Sequence, residues 1–291
     1  MAQIKSRKHN RSAQLMALAA SLPLLAHAAN PEDDVTQLPT ITVKSEAESK
    51  YKADNLSSAK YTQPLLDTPQ TISVIKKEIL QEQGATSLVE ALRNTPGITL
   101  QLGENGNTSA GDAFQMRGFS TQTSTYVDGV RDLGAISRDV FNIDQIEVVK
   151  GPSGSEAGRG AASGYINLVS KLPQSESSQE ISATYNTAQH TRLSADINQA
   201  INPNTAFRLN VMGQEGGIEG RDYIENNSYA IAPSIAFGLN TATRLYLYSQ
   251  HIRQRNIPDG GIPTVGMQGF YNTDSLLATA PKVNRENFYG H

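Results

Sequence analysis

The sequence predicts an α+β domain followed by the first strands, about five, of an antiparallel transmembrane β-barrel that is incomplete in this chain. Three observations predict it. An export signal stands at the N-terminus; helix and strand patterns punctuated by glycine fill residues 64–174; and from residue 179 segments of about ten residues alternate apolar and polar side chains.

Composition narrows the class first. Of 291 residues, 18% are charged and 38% hydrophobic, which excludes a disordered acidic tail and a helical membrane bundle alike. There is no cysteine, hence no disulfide framework and no thiolate metal site. Lys5, Arg7, Lys8 and Arg11 form a basic start, an apolar stretch runs from Leu15 to Leu25, and Ala26-His27-Ala28 supplies the small residues a signal peptidase reads. Residues 1–28 are therefore a signal peptide cut between Ala28 and Ala29, too short an apolar run to span a bilayer as a helix. Cleavage leaves 21 basic against 28 acidic side chains, a formal charge of −7 in place of −3. An acidic chain argues against nucleic acid as a partner.

Residues 29–63 read as a flexible polar tail with one apolar island, Leu38-Pro39-Thr40-Ile41-Thr42-Val43. Its alternation favours a strand with no neighbour to pair with. In residues 64–174, the alternating Thr71-Ile72-Ser73-Val74-Ile75 predicts a strand, and Ile79 and Leu80 a helix stopped by Gly84. Ser87 and Glu90 form a capping-box pattern opening a helix with Leu88, Ala91 and Leu92 on one side. Strands are predicted at 113–118, 125–127, 146–150 and 165–170, with Asp128-Gly129 a tight turn.

Beyond residue 179 the predicted strands are 179–188, 190–201, 205–214, 228–238 and 243–253. Leu193, Ala195, Ile197 and Ile201 share one face and Arg192, Ser194, Asp196 and Asn198 the other. The links at 202–204 and 239–241 are short, whereas 215–227 reads as a long loop, the asymmetry of periplasmic turns and outer loops. A soluble β-sandwich is the alternative on pattern alone. Catalytic signatures come close and fail. The Gly158-x-Gly160 run precedes a strand and not a helix, and the histidines at 9, 27, 190, 251 and 291 are scattered, so neither enzyme nor metal site is expected.

Several segments together resemble the plug domain of TonB-dependent siderophore receptors. They are 67–75 (Asp-Thr-Pro-Gln-Thr-Ile-Ser-Val-Ile), 92–98 (Leu-Arg-Asn-Thr-Pro-Gly-Ile), 114–119 (Phe-Gln-Met-Arg-Gly-Phe), 126–130 (Tyr-Val-Asp-Gly-Val), 146–152 (Ile-Glu-Val-Val-Lys-Gly-Pro) and 164–171 (Gly-Tyr-Ile-Asn-Leu-Val-Ser-Lys). Residues 103–107, 138–142 and 258–264 look like the Fiu/PiuA-type catecholate subgroup.

The resemblance implies a plug at 64–174 closing a 22-stranded barrel whose opening strands occupy 179–291. It implies an outer-membrane importer of ferric catecholates energised by the TonB protein, with the periplasmic tail carrying a TonB box at 38–44 built on Pro39, Thr40, Ile41, Thr42 and Val43. Outer-membrane lipid is the remaining partner. Iron is carried as a ferric siderophore substrate, so no cofactor is expected. An anionic tris-catecholate complex selects cations and aromatics, which nominates Arg117, Arg221, Arg253, Arg255, Tyr223 and Phe270. The alternatives are the same machine serving cobalamin, haem or a glycan, or a truncated fragment of such a receptor. A signalling variant needs a folded domain before the TonB box, for which residues 29–37 leave no room.

Overall fold

The computed structural model describes residues 51–101, 111–218 and 221–257. The signal peptide with Ala28 and Ala29, the segment 39–43 and Phe270 lie outside them.

The plug begins with β1 (Thr71–Lys76), which runs directly into α1 (Lys77–Glu82). α2 (Leu88–Leu92) opens on the expected capping box: the Ser87 side chain accepts from the Glu90 amide, and the Glu90 carboxylate accepts from the Ser87 amide. Two donors that a helix start leaves open are thereby satisfied. β2 (Ile98–Leu100), β3 (Phe114–Met116) and β4 (Phe119–Ser120) form a small antiparallel sheet. β5 (Thr125–Val127), β6 (Val130–Arg131), β7 (Ile143–Lys150), α3 (Gly154–Ala157) and β8 (Gly164–Ser170) complete the domain.

The main sheet has the order β1-β7-β8-β5-β6, antiparallel except where β5 lies parallel to β8. Asp128 and Gly129 take φ of 49° and 77°, the left-handed pair that a two-residue hairpin requires between β5 and β6. Both sheet faces are covered. Ile146, Val148, Ile166 and Leu168 pack with Leu88, Leu92, Phe114 and Met116 on one; Val149 and Tyr165 pack with Tyr126 and Leu56 on the other. Burial on both faces leaves few exposed positions on β7 and β8, and the buried set includes the polar Glu147 and Asn167 beside the aliphatic residues. Leu56 is the unexpected member. It belongs to the stretch expected to be a free tail, yet it is buried there, with Tyr61 and Leu65 beside it. Its polar neighbours hide a few apolar side chains that cover the sheet.

The wall follows. β9 (Ser178–Tyr185), β10 (Thr191–Asn202) and β11 (Thr205–Glu215) form consecutive antiparallel pairs. Where a loop is expected at 215–227, β12 (Gly217–Ile218) and β13 (Arg221–Glu225) form a small hairpin of their own. β14 (Ser228–Phe237) pairs with β11. β15 (Leu245–Tyr248) and β16 (His251–Gln254) both pair with β14 in one unbroken register, Ser234 opposite Tyr248 and Ile231 opposite His251. They are one strand interrupted opposite Pro233, whose nitrogen has no hydrogen to donate. Among the described residues the wall therefore has the five strands expected.

Burial decides between barrel and sandwich. Arg192, Asp196, Asn198, Arg208 and Asn210 are buried, whereas Leu193, Ile201, Tyr229, Ile231 and Phe237 are exposed. In a sandwich the aliphatic face would meet a second sheet. Here the polar face meets the plug, and among the described residues nothing covers the aliphatic one.

Candidate functional site

The plug meets the wall along a seam of buried ion pairs. Strand alternation turns Arg192 of β10 inward, where its guanidinium grips Asp139 with two bonds, 2.6 and 2.8 Å, and donates to Gln214 of β11 at 2.8 Å. Further along β10, Asp196 sits between Lys171 of the plug at 3.0 Å and Arg208 of β11 at 2.8 Å. Arg208 also donates to the Leu172 carbonyl, and Asn198 holds the connecting peptide through Gln174. Asn142 of the plug donates to Gln250, in the gap of the interrupted fifth strand. Each buried charge of the seam thus has a partner of opposite sign, the condition for keeping charges out of water.

Two cavities lie against this seam. One of about 280 Å³ is bordered by Lys77, Phe141, Glu180 and Arg192. A larger one, about 620 Å³, is bordered by Glu90, Asp112, His190, Arg192 and Gln254. Arg138 closes the plug side of the larger cavity between two carboxylates, with Asp112 at 3.2 Å and Asp132 at 2.7 Å. Burial pushes the Asp112 carboxyl up to about 6, although Arg138 pulls the other way. Burial also works against Asp132, but there the Gly134 amide and Arg138 outweigh it and hold the group below its ordinary value. Among the described residues no three His, Cys, Asp or Glu side chains converge as metal ligands do.

The residues nominated from sequence are dispersed. Arg117 is exposed in the turn between β3 and β4, with φ of 51°, its guanidinium against Gly151. Burial and the nearby Arg117 charge lower the Lys150 ammonium. Arg221 and Tyr223 lie on β13. Arg255 follows β16, its amide bonded to the Asn227 carbonyl. Arg253 lies on β16. It pairs with Tyr229, while its neighbours Ile252 and Gln254 turn inward, Ile252 against Phe141 and Gln254 onto the Ser137 carbonyl. Period-two alternation therefore places Arg253 on the outer face, away from the plug. The seam residues Asp139 and Lys171 were missed because their partners, Arg192 and Asp196, lie 53 and 25 residues further along the chain. The only signal was the polar face of the wall strands, which needed partners.

A domain of this topology, packed against the polar face of an inside-out strand wall, matches the plug and opening wall of TonB-dependent receptors. Residues 64–165 match the family model of the TonB-dependent Receptor Plug Domain. The chain is 43% identical over 277 residues to the catecholate siderophore receptor Fiu of Escherichia coli, covering 94% of this chain and 36% of that receptor. It is 38% identical over 264 residues to the probable TonB-dependent siderophore receptor PiuA of Acinetobacter baumannii, covering 90% and 35%. The crystal structure of the E. coli ferric-catecholate import receptor Fiu in its closed form superposes with a TM-score of 0.75 at 46% identity, covering 82% of this chain and 34% of that one. That of A. baumannii PiuA gives 0.69 at 37%, covering 72% and 30%. The chain spans about a third of the length of these relatives.

Proposed function

We propose that the protein acts as an energised outer-membrane receptor importing ferric siderophores, with ferric catecholates as the substrate class. The observation that carries this reading is the inverted burial of the wall. Charged side chains point inward to a plug and aliphatic ones outward, an arrangement stable with lipid outside and a filled lumen. Similarity to receptors named for catecholate import supports the substrate class. The outer membrane has no nucleotide supply, so work arrives from the inner membrane through the TonB protein. Pro39, Thr40, Ile41, Thr42 and Val43 form the segment that adds as a strand to its sheet.

At the outer face, Arg117, Arg221, Tyr223, Arg255 and Phe270 contact an anionic complex with aromatic faces. Arg253 contributes less, given its outward position. Iron enters as part of the substrate and no resident cofactor takes part.

Binding and uptake in cells, compared among ferric catecholates, haem, cobalamin and glycans, test the reading. Saturable binding is expected for ferric catecholates alone. Ile41→Pro removes a strand donor and is expected to abolish uptake while leaving surface binding intact. Preference for another nutrient would overturn the substrate class, and normal uptake by Ile41→Pro would overturn the coupling strand.

A further inference from the structure

We propose that residues 54–67 are a detachable strap, latched to the plug sheet through Glu147, whose release is the first mechanical step when the tail is pulled. The proposal rests on the coupling reading above. The strap crosses one face of the main sheet without joining it as a strand. The amide of Leu65 donates to the Asp54 carbonyl at 2.8 Å, closing it into a loop. Leu56 is its buried apolar anchor, packed with Val149, Tyr126 and Tyr165. Ser57 is its polar anchor: its amide donates to Glu147 Oε1 at 2.6 Å, and its hydroxyl lies 3.3 Å from Asn167 Nδ2. At the far side Tyr165 donates to the Tyr61 hydroxyl at 3.2 Å, and the Lys60 ammonium donates to the Glu156 carbonyl.

Glu147 makes this contact releasable. It is fully buried, held by Ser57, Gln145 and Asn167, and among the described residues it has no ion pair. Three hydrogen bonds, each of a kind that water can replace, hold its carboxyl in place. Lifting the strap exposes Val149 and Tyr165, which costs apolar contact, but it also returns the carboxylate to water, which offsets part of that cost. An apolar side chain at 147 would remove this offset. No ladder hydrogen bond breaks, so the strap can leave while β1, β7 and β8 stay paired.

Chain length sets the order of events. Ten residues lie between Val43 and Asp54, eleven Cα–Cα steps, a reach of at most ~40 Å when extended. A pull at 39–43 that exceeds this reach loads the strap before it loads β1.

Two measurements test the strap. Hydrogen exchange on the receptor is expected to show amides 54–67 exchanging together, at least ~10-fold faster than those of β7 and β8, as a separate opening unit. Exchange of the strap no faster than β7 and β8 would overturn the proposal whatever the receptor transports. These 291 residues have no cysteine, so in a receptor otherwise free of cysteine Lys60→Cys with Glu156→Cys can be joined selectively by a short bismaleimide. Joined receptor is expected to bind ferric catecholate at the surface with unchanged affinity and to lose uptake. The same pair left unjoined, and each single cysteine treated with reagent, should keep it. Undiminished uptake by the joined receptor would overturn the strap. Absence of uptake in the parent receptor would instead count against the transport reading, and the exchange result would still decide the strap.

Discussion

At the scale of single residues, the plug's special positions are answers to close approach and burial. Gly164 takes φ of 121°, and a Cβ there would stand 2.0 Å from the Val149 carbonyl oxygen, so only glycine lets β8 start flush against β7. Asp112 is the opposite case, a side chain retained against its own desolvation. Its carboxyl is raised from 3.8 to about 6, so the folded state holds the proton over a range where the unfolded chain has lost it. The favourable contribution is complete below pH 3.8 and is lost as pH rises to about 6, a difference on the order of 3 kcal/mol. Asp112→Asn keeps an acceptor for Arg138 and removes the charge. Urea unfolding of the plug is therefore expected to find the variant at least as stable as the parent at pH 7, with the parent's loss between pH 4 and 6 absent. A variant less stable at pH 7 and equally pH-dependent would show that Asp112 is ionised at no cost.

At the scale of elements, the wall strands and the plug loops hold each other by charge. Arg192 and Asp139 are both nearly buried, and the Asp139 carboxylate also accepts from the Phe141 amide at 2.8 Å. Arg192→Met alone leaves that carboxylate buried without a cation and is expected to cost about 3–5 kcal/mol. Asp139→Asn keeps the acceptor for Phe141, so the double variant is expected to recover part of the loss. Thermal unfolding of the four proteins of this cycle measures the coupling; strictly additive costs would mean that the pair is not a unit. The capping box, the Asp128-Gly129 turn and the five wall strands were legible because each is local: a few side chains within one turn or one strand decide it. The β12–β13 hairpin was not legible. Its two short segments are stabilised by pairing with each other and by the bridge from Glu225 to Ile257, with no alternation long enough to mark them.

At the scale of the whole molecule, closure is the limiting condition. The five wall strands among the described residues, spaced about 4.8 Å apart and tilted by roughly 40°, span about 31 Å of circumference, a closed diameter near 10 Å. A plug of about 110 residues has a radius of gyration near 13 Å. Such a wall cannot surround it, and an open sheet leaves two edges that lipid cannot satisfy. Residues 29–291 expressed alone are therefore expected not to insert stably into the outer membrane. A heat-modifiable, protease-resistant membrane species made from that stretch would overturn this.

The sequence by itself determined the fold class, the five wall strands and the family resemblance, because period-two alternation, caps and turn pairs are written in neighbouring residues. It also nominated cations and aromatics by type. Only the tertiary structure decided which way the alternation faces: Arg192 and Asp196 turn inward because Asp139 and Lys171 wait on the plug, and Arg253 turns outward because Ile252 and Gln254 turn in. It likewise decided that Leu56 and Ser57 are a strap and not a tail, since the partners that bury them, Val149 and Glu147, lie some ninety residues along the chain. Burial is a property of which surfaces meet, and no local pattern encodes a meeting at that distance.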